Sequence, residues 1–284
     1  MILTSEELQA LVQAAQLKQR SARISLNLGL SFSDVALSGT VALFPDGLRL
    51  DLTSLGTVDV RSCYTLQDGA LVKLQFFSSE TNRHYKLVPT KDWPTVTVSG
   101  VPMHQKTRVT PREDAMQKTG AVEVRGMVLD TCSGLGYTAI LASEKADHVM
   151  TVEKDGNILA LGRVNPHSAG LFTNEKIELV HGDVSIVLKD FKEEFFDVII
   201  HDPPTFKLAG ELYGTMFYRE LFRVLRSRCW MFHYTGRPGI KRGRSFIGEV
   251  IKRLGSVGFC NMKTVMGDQA VICQKPSFRS RKHF

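Results

Sequence analysis

Val128-Leu-Asp-Thr-Cys-Ser-Gly-Leu-Gly-Tyr137 decides how the rest of this 284-residue chain is read. An apolar run, Gly126-Met-Val-Leu129, leads into Asp130 and then into a short loop carrying Gly134 and Gly136. Behind the loop comes a helical run, Tyr137-Thr-Ala-Ile-Leu-Ala142. A strand that turns into a helix around glycines lets backbone approach a bound ligand closely. The helix N-terminus adds free N–H groups and a positive dipole end, which favour a carboxylate or phosphate. The stretch therefore predicts a nucleotide-type cofactor site.

Outward from it the pattern is regular alternation. Strands are expected near 126–132, 148–153, 176–181, 196–202 and 229–235, each followed by a helical or polar segment. A helix is expected over 211–225, where Phe217, Leu221, Val224 and Leu225 share one face. Two final strands, 261–266 and 269–274, are separated only by Gly267-Asp268 and should pair antiparallel. These features predict an α/β fold: a Rossmann-like, doubly wound, mostly parallel seven-stranded sheet closed by a C-terminal antiparallel hairpin.

Upstream the period changes. Thr4-Ser-Glu-Glu7 fits a capping box, and Leu8, Leu11, Val12 and Ala15 follow at helical spacing. From about Ile24 the period is two, with Pro45-Asp46-Gly47 and Asp68-Gly69 as hairpin signals and Pro94 marking an edge or a strand start. Thr110-Pro-Arg-Glu113 opens a further helix, which links this β unit to the second half and is expected beside the glycine loop. The expected domains are 1–102, a helix with a small β-rich unit, and 103–284, the cofactor-binding unit.

Composition narrows the class. The apolar fraction is 43% and no stretch approaches the ~18–20 apolar residues of a membrane span, so a cytoplasmic protein is expected. Cys63, Cys132, Cys229, Cys260 and Cys273 lie far apart, which predicts reduced thiols and neither zinc nor disulfides. The formal charge is +7, with much of the excess in Arg237, Lys241, Arg242 and Arg244 and in the tail Phe278-Arg-Ser-Arg-Lys-His-Phe284. RNA is one partner that fits; a solvated loop and tail is the plainer reading.

Four landmarks fall at the C-terminal ends of successive expected strands, where open α/β sheets bind ligands. They are Asp130 with Gly134 and Gly136, Glu153, Asp183 after Gly182, and His201-Asp-Pro-Pro-Thr-Phe206. Singly, Asp130 or Asp183 could be a helix cap, Glu153 a surface charge and Pro203-Pro204 a turn. Jointly, four at matching strand ends favour a site. The loop lacks the third glycine of the dinucleotide fingerprint, Ala139 standing there, and nothing else suggests hydride chemistry.

With these residues the chain resembles the class I S-adenosylmethionine-dependent methyltransferases. Within them it is similar to a family of predicted archaeal-type methyltransferases with an Asp-Pro-Pro motif, matched over roughly residues 103–275. The shared pattern appears as Asp130–Ala139, His201-Asp-Pro-Pro204, Ala209–Gly214, Phe217–Leu221 and Phe232–Gly236. The resemblance implies S-adenosyl-L-methionine as cofactor, with Asp130, Cys132, Gly134, Leu135 and Gly136 at its methionine end. It places Glu153 at the ribose, Asp183 at adenine and Asp202 beside both cofactor and acceptor, and Lys154 is a further expected cofactor-binding residue.

Asp202, Pro203, Pro204 and Phe206 are the expected catalytic residues. In amino-directed nucleic-acid methyltransferases an acid or amide and a proline carbonyl accept the N–H bonds of an exocyclic amine, and an aromatic ring stacks on the base. Here Thr205 takes the ring position and Phe206 follows it. Cysteine-mediated chemistry fits poorly, because Cys132 lies in the cofactor loop and Cys229 and Cys273 in apolar strands. His201 could serve as a base or be structural; His233 and Tyr234 are weaker candidates for lining the acceptor pocket, and Glu211 and Tyr213 could close over the substrate or simply start the helix. The expected activity is methyl transfer to a nitrogen acceptor in RNA. The rivals are aminopropyl transfer to a small amine, as in spermidine-synthase-like proteins using decarboxylated cofactor, and a non-catalytic RNA-binding protein.

Overall fold

The computed structural model describes residues 1–104, 108–236 and 246–277. Arg237, Lys241, Arg242, Arg244 and the tail from Phe278 lie outside the described residues. The chain forms two compact units, Met1–Arg112 with Ala160–Ala169, and Glu113–Leu159 with Gly170–Phe284.

The first unit opens with α1 (Ser5–Gln16), whose start is fixed by the expected capping box: Thr4 accepts from the Glu6 amide and Glu7 reaches back to the Thr4 amide. Strands β1 (Ser21–Ser25), β2 (Phe32–Ser38), β3 (Val41–Leu43) and β4 (Arg49–Asp51) follow as an antiparallel meander. A hairpin, β5 (Tyr64–Gln67) and β6 (Ala70–Lys73), turns at Asp68-Gly69. Strands β7 (Gln75–Ser78), β8 (Arg83–Val88), β9 (Thr95–Val98) and β10 (Val101–Pro102) make a second four-stranded sheet, ordered β10-β9-β8-β7. Pro94 stands just before β9, which is an inner strand, so the proline marks a strand start. Leu8 and Leu11 of α1 pack with Ile24, Val35, Leu50 and Leu66 in a core of their own.

In the second unit α2 (Pro111–Gly120) precedes β11 (Met127–Asp130), and α3 (Tyr137–Ser143) follows it. The alternation continues with β12 (His148–Glu153), α4 (Gly156–Val164), α5 (Ala169–Thr173), β13 (Ile177–His181), α6 (Val184–Val187) and β14 (Phe196–His201). It closes with α7 (Thr215–Val224), β15 (Leu225–Tyr234), α8 (Phe246–Val257), β16 (Cys260–Val265) and β17 (Ala270–Gln274). The sheet runs β13-β12-β11-β14-β15-β17-β16, parallel through β15 and antiparallel in the last hairpin.

Strand residues alternate between two cores, as the pleat requires. Leu129, Met150, Ile199 and Met231 face α7 and α8, while Val128, Val149, Val198 and Phe232 face α3. Burying each such side chain contributes about 1.5–3 kcal/mol. The expected helix over 211–225 is broken: Gly210–Tyr213 is a short 3-10 turn, and Gly214 takes extended backbone before α7. Leu225 belongs to β15, which is longer than expected and bulged opposite Phe196/Val198. The order 3-2-1-4-5-7-6 puts the reversal of direction between β11 and β14, so their C-terminal ends flank one crevice.

Candidate active site

Asp130 ends β11 and is fully buried. Its Oδ2 accepts from Thr151 Oγ1 at 2.8 Å and from Thr138 Oγ1 at 3.2 Å. Oδ1, together with the Ser133 hydroxyl in the same loop, is buried with no hydrogen-bond partner among the described residues. Burial pushes the Asp130 carboxyl up to about 7, against the two threonine hydrogen bonds. A buried polar atom left unpaired costs about 1–3 kcal/mol, so these two atoms suit a polar ligand group.

The glycine loop is a tight turn laid on the neighbouring strand. The Ser133 amide donates to the Val152 carbonyl at 2.8 Å and the Gly136 amide to the Ser133 carbonyl at 2.8 Å. Gly136 has φ +80, and a Cβ there would lie 2.7 Å from Leu171 Cδ2, so only glycine fits. Glu153, at the end of β12, accepts from the Gly134 amide through Oε2 at 2.7 Å and from the Asp155 amide through Oε1 at 2.8 Å. Burial raises its carboxyl to about 7. It braces the loop and still has lone pairs for hydroxyl donors.

Asp183 is the helix cap that one reading offered, and it also carries an ion pair. Its Oδ1 caps α6 by accepting from the Ser185 amide at 2.9 Å, and its Oδ2 pairs with Lys154 Nζ at 2.8 Å. Burial would raise this carboxyl, but Lys154 and Ser185 outweigh it and hold it below its usual range. Lys154 itself is largely exposed. Leu135 is fully buried and packs the loop, and Cys132 is a thiol that burial raises well above its usual range. The five cysteines are all unpaired, and among the described residues no cluster of His, Cys, Asp or Glu could hold a metal ion.

Across the crevice β14 delivers His201 and Asp202. His201 is fully buried, with Nδ1 2.7 Å from Thr131 Oγ1 and Nε2 3.1 Å from the Leu212 carbonyl. A carbonyl only accepts, so Nε2 carries the proton and Nδ1 accepts from Thr131. Burial lowers its pKa to about 3, which fixes a neutral, structural imidazole rather than a base. His233 is buried too and shares a hydrogen bond with the Tyr218 hydroxyl at 2.8 Å.

Asp202 is paired with a residue that sequence reasoning missed. Lys118 of α2 places Nζ 2.6 Å from Asp202 Oδ2 and 2.7 Å from Asp114 Oδ2, 4.6 Å from the centroid of the Tyr234 ring. The Lys118 and Asp114 side chains are 5% and 2% exposed, that of Asp202 21%. Burial opposes the charge on Lys118, but Asp202 and Asp114 outweigh it and raise its pKa, so it stays an ammonium. The local signal was the Asp114/Lys118 spacing of four, which reads equally well as a solvated helix face.

The Asp-Pro-Pro loop is held from its far side. The Tyr213 hydroxyl donates to the Pro204 carbonyl at 3.0 Å, while the Pro203 carbonyl has no hydrogen bond among the described residues. Phe206 packs edge-on against Tyr213 and Phe246, with ring centroids 5.7 Å and 5.6 Å away, and remains 45% exposed. Tyr213 is buried beneath the loop and Glu211 is exposed beside it.

Residues 125–208, the span from the glycine loop through Asp-Pro-Pro, match a family described as RNA cap guanine-N2 methyltransferase. An uncharacterized protein of Methanocaldococcus jannaschii is 40% identical over 97% of this chain and 98% of its own length. The ribosomal protein uL3 glutamine methyltransferase of Burkholderia pseudomallei is 38% identical over 48% of this chain and 43% of its own. Among solved structures, spermidine synthase from Thermotoga maritima aligns with a TM-score of 0.53 at 16% identity, over 73% of this chain and 75% of its own. At that identity the likeness is one of fold.

Proposed function

We propose that this class I S-adenosylmethionine-dependent methyltransferase methylates a nitrogen held at Asp202-Pro203-Pro204, an exocyclic amine of an RNA base. One observation carries the reading. Asp202 Oδ2 is taken by Lys118, which leaves Oδ1 and the Pro203 carbonyl as two acceptors at the mouth of the crevice, beside the exposed Phe206 ring.

The cofactor-facing residues fit S-adenosylmethionine. Asp130 Oδ1 and Ser133 Oγ would meet its methionine end, Glu153 its ribose, and Asp183 with Lys154 its adenine side. Bound there, S-adenosylmethionine would supply an electrophilic sulfonium methyl for the acceptor nitrogen's lone pair, with sulfur as the leaving group that keeps the carbon–sulfur pair. Asp202 Oδ1 and the Pro203 carbonyl orient the two N–H bonds, so the lone pair faces the methyl; such positioning can supply several kcal/mol. The surplus proton on the nitrogen leaves through the Asp202 carboxylate to water. Tyr213 fixes the loop by its bond to Pro204, and Phe206 offers a face for a base turned out of its stack.

A second reading, transfer to a glutamine amide, is favoured by the partial match to the uL3 glutamine methyltransferase. The deciding experiment incubates the protein with methyl-tritiated S-adenosylmethionine and fractionated, methylation-naive cell extract, wild type against Asp202→Ala. Label entering RNA and lost in the variant is the expected result. Label confined to protein sends the assignment to the amide, and label confined to small molecules removes both.

A further inference from the structure

The geometry points to Lys118 as a charge filter: it positions Asp202 and presets the acceptor pocket for a neutral amino group, so that an ammonium such as a polyamine's is refused. The inference rests on the reading of Asp202 as the acceptor acid and adds to it the charge class of the acceptor.

Lys118 Nζ already occupies the place an ammonium would take. It lies 2.6 Å from Asp202 Oδ2 and 4.6 Å from the Tyr234 ring centroid, an acid and an aromatic face together. Asp114, at 2.7 Å, is its second counter-ion and belongs to the same helix. A second ammonium on Asp202 Oδ1 would share one carboxylate with Lys118 and meet that charge within a few ångström, in a site where little water screens it. It would also need to lose a proton before its lone pair could attack, and Lys118, fully protonated, cannot accept one. A base amine or an amide meets neither obstacle. It needs only two acceptors, which Asp202 Oδ1 and the Pro203 carbonyl provide.

The same cluster argues against a polyamine as the acceptor in this chain. A cationic substrate calls for unbalanced acid, whereas here the acid after β14 is already balanced by a residue of the chain itself.

The test is a calorimetric titration of spermidine into wild type, Lys118→Met, Lys118→Arg and Asp114→Asn/Lys118→Met. The double variant guards against loss of fold in the single one, because it leaves no buried aspartate unpaired. At least tenfold tighter spermidine binding is expected in the two methionine variants, with no gain in Lys118→Arg, which keeps the charge. Adding Asp202→Asn should abolish the gain. The filter is overturned if the folded double variant binds spermidine no better than wild type, or if the gain survives Asp202→Asn. RNA labelling by wild type is scored separately. Spermidine results as expected without RNA labelling would retain the filter and remove the RNA assignment.

Discussion

Asp130 and Glu153 are two buried carboxyls pushed up to about 7, so the cofactor binding proposed for them should be pH-dependent. The folded chain binds their protons more tightly than the unfolded chain does, so what they contribute to stability is greatest below about pH 4. It falls as pH rises to about 7 and is level above. A bound cofactor offering N–H and O–H donors prefers the ionised carboxyls, so its affinity should rise between pH 6 and pH 8. Titration calorimetry should show a smaller rise for Asp130→Asn, whose melting temperature should also depend less on pH. At the same scale, Lys118→Met leaves Asp114 as a buried, uncompensated carboxylate, and removing one partner of such a pair costs about 3–5 kcal/mol. Urea midpoints should report that loss, and Asp114→Asn added to it should recover part. The carboxylates were legible in the sequence because each closes an apolar run. Lys118 was not, since its bond to Asp202 joins residues 84 apart in the chain, on a helix whose composition is that of a solvated one.

Among the elements, the large sheet was legible strand by strand because its signals are local: apolar runs, Gly-Asp at the last hairpin, glycines after β11. Partner choice in the first unit was less so. Hairpin signals marked its strands, but their division between two four-stranded sheets depends on pairings that no short segment encodes. The break before α7 was missed because the helical face of Phe217 and Leu221 extends by period into Tyr213, while Gly214 is extended. Two glycines bear the geometry of the β11 unit. At Gly126, φ is +59 and a Cβ would lie 2.3 Å from Asp197 Oδ2, which accepts from the Met127 amide at 2.9 Å. Left-handed backbone alone costs a non-glycine residue about 1–3 kcal/mol. Gly126→Ala should therefore lower the melting temperature. Gly136→Ala should weaken cofactor binding at least tenfold, read by calorimetry, because its Cβ would drive the loop away from Leu171.

For the whole molecule, the RNA acceptor proposed above makes the contribution of the +7 formal charge and the basic tail measurable. Truncation after residue 277 removes Arg279, Arg281 and Lys282. It should weaken binding of methylation-naive RNA and lessen the slope of log K against log salt by about 0.7 for each phosphate no longer neutralised. Filter binding at several salt concentrations checks this, with cofactor affinity unchanged as the control. No helix among the described residues is long and apolar enough to cross a membrane. The counter-ion of Asp202 comes from α2, outside the sheet, whereas the acid and the glycine loop directly follow the strands β14 and β11. On the proposed reading, chemistry and selectivity are carried by separate elements of the chain, joined by one ion pair. On the proposed roles, descendants of one scaffold could exchange acceptors by changing the Asp114/Lys118 pair of one helix while inheriting the glycine loop intact. The residue aligned with 118 would then sort uncharacterized relatives by what they methylate.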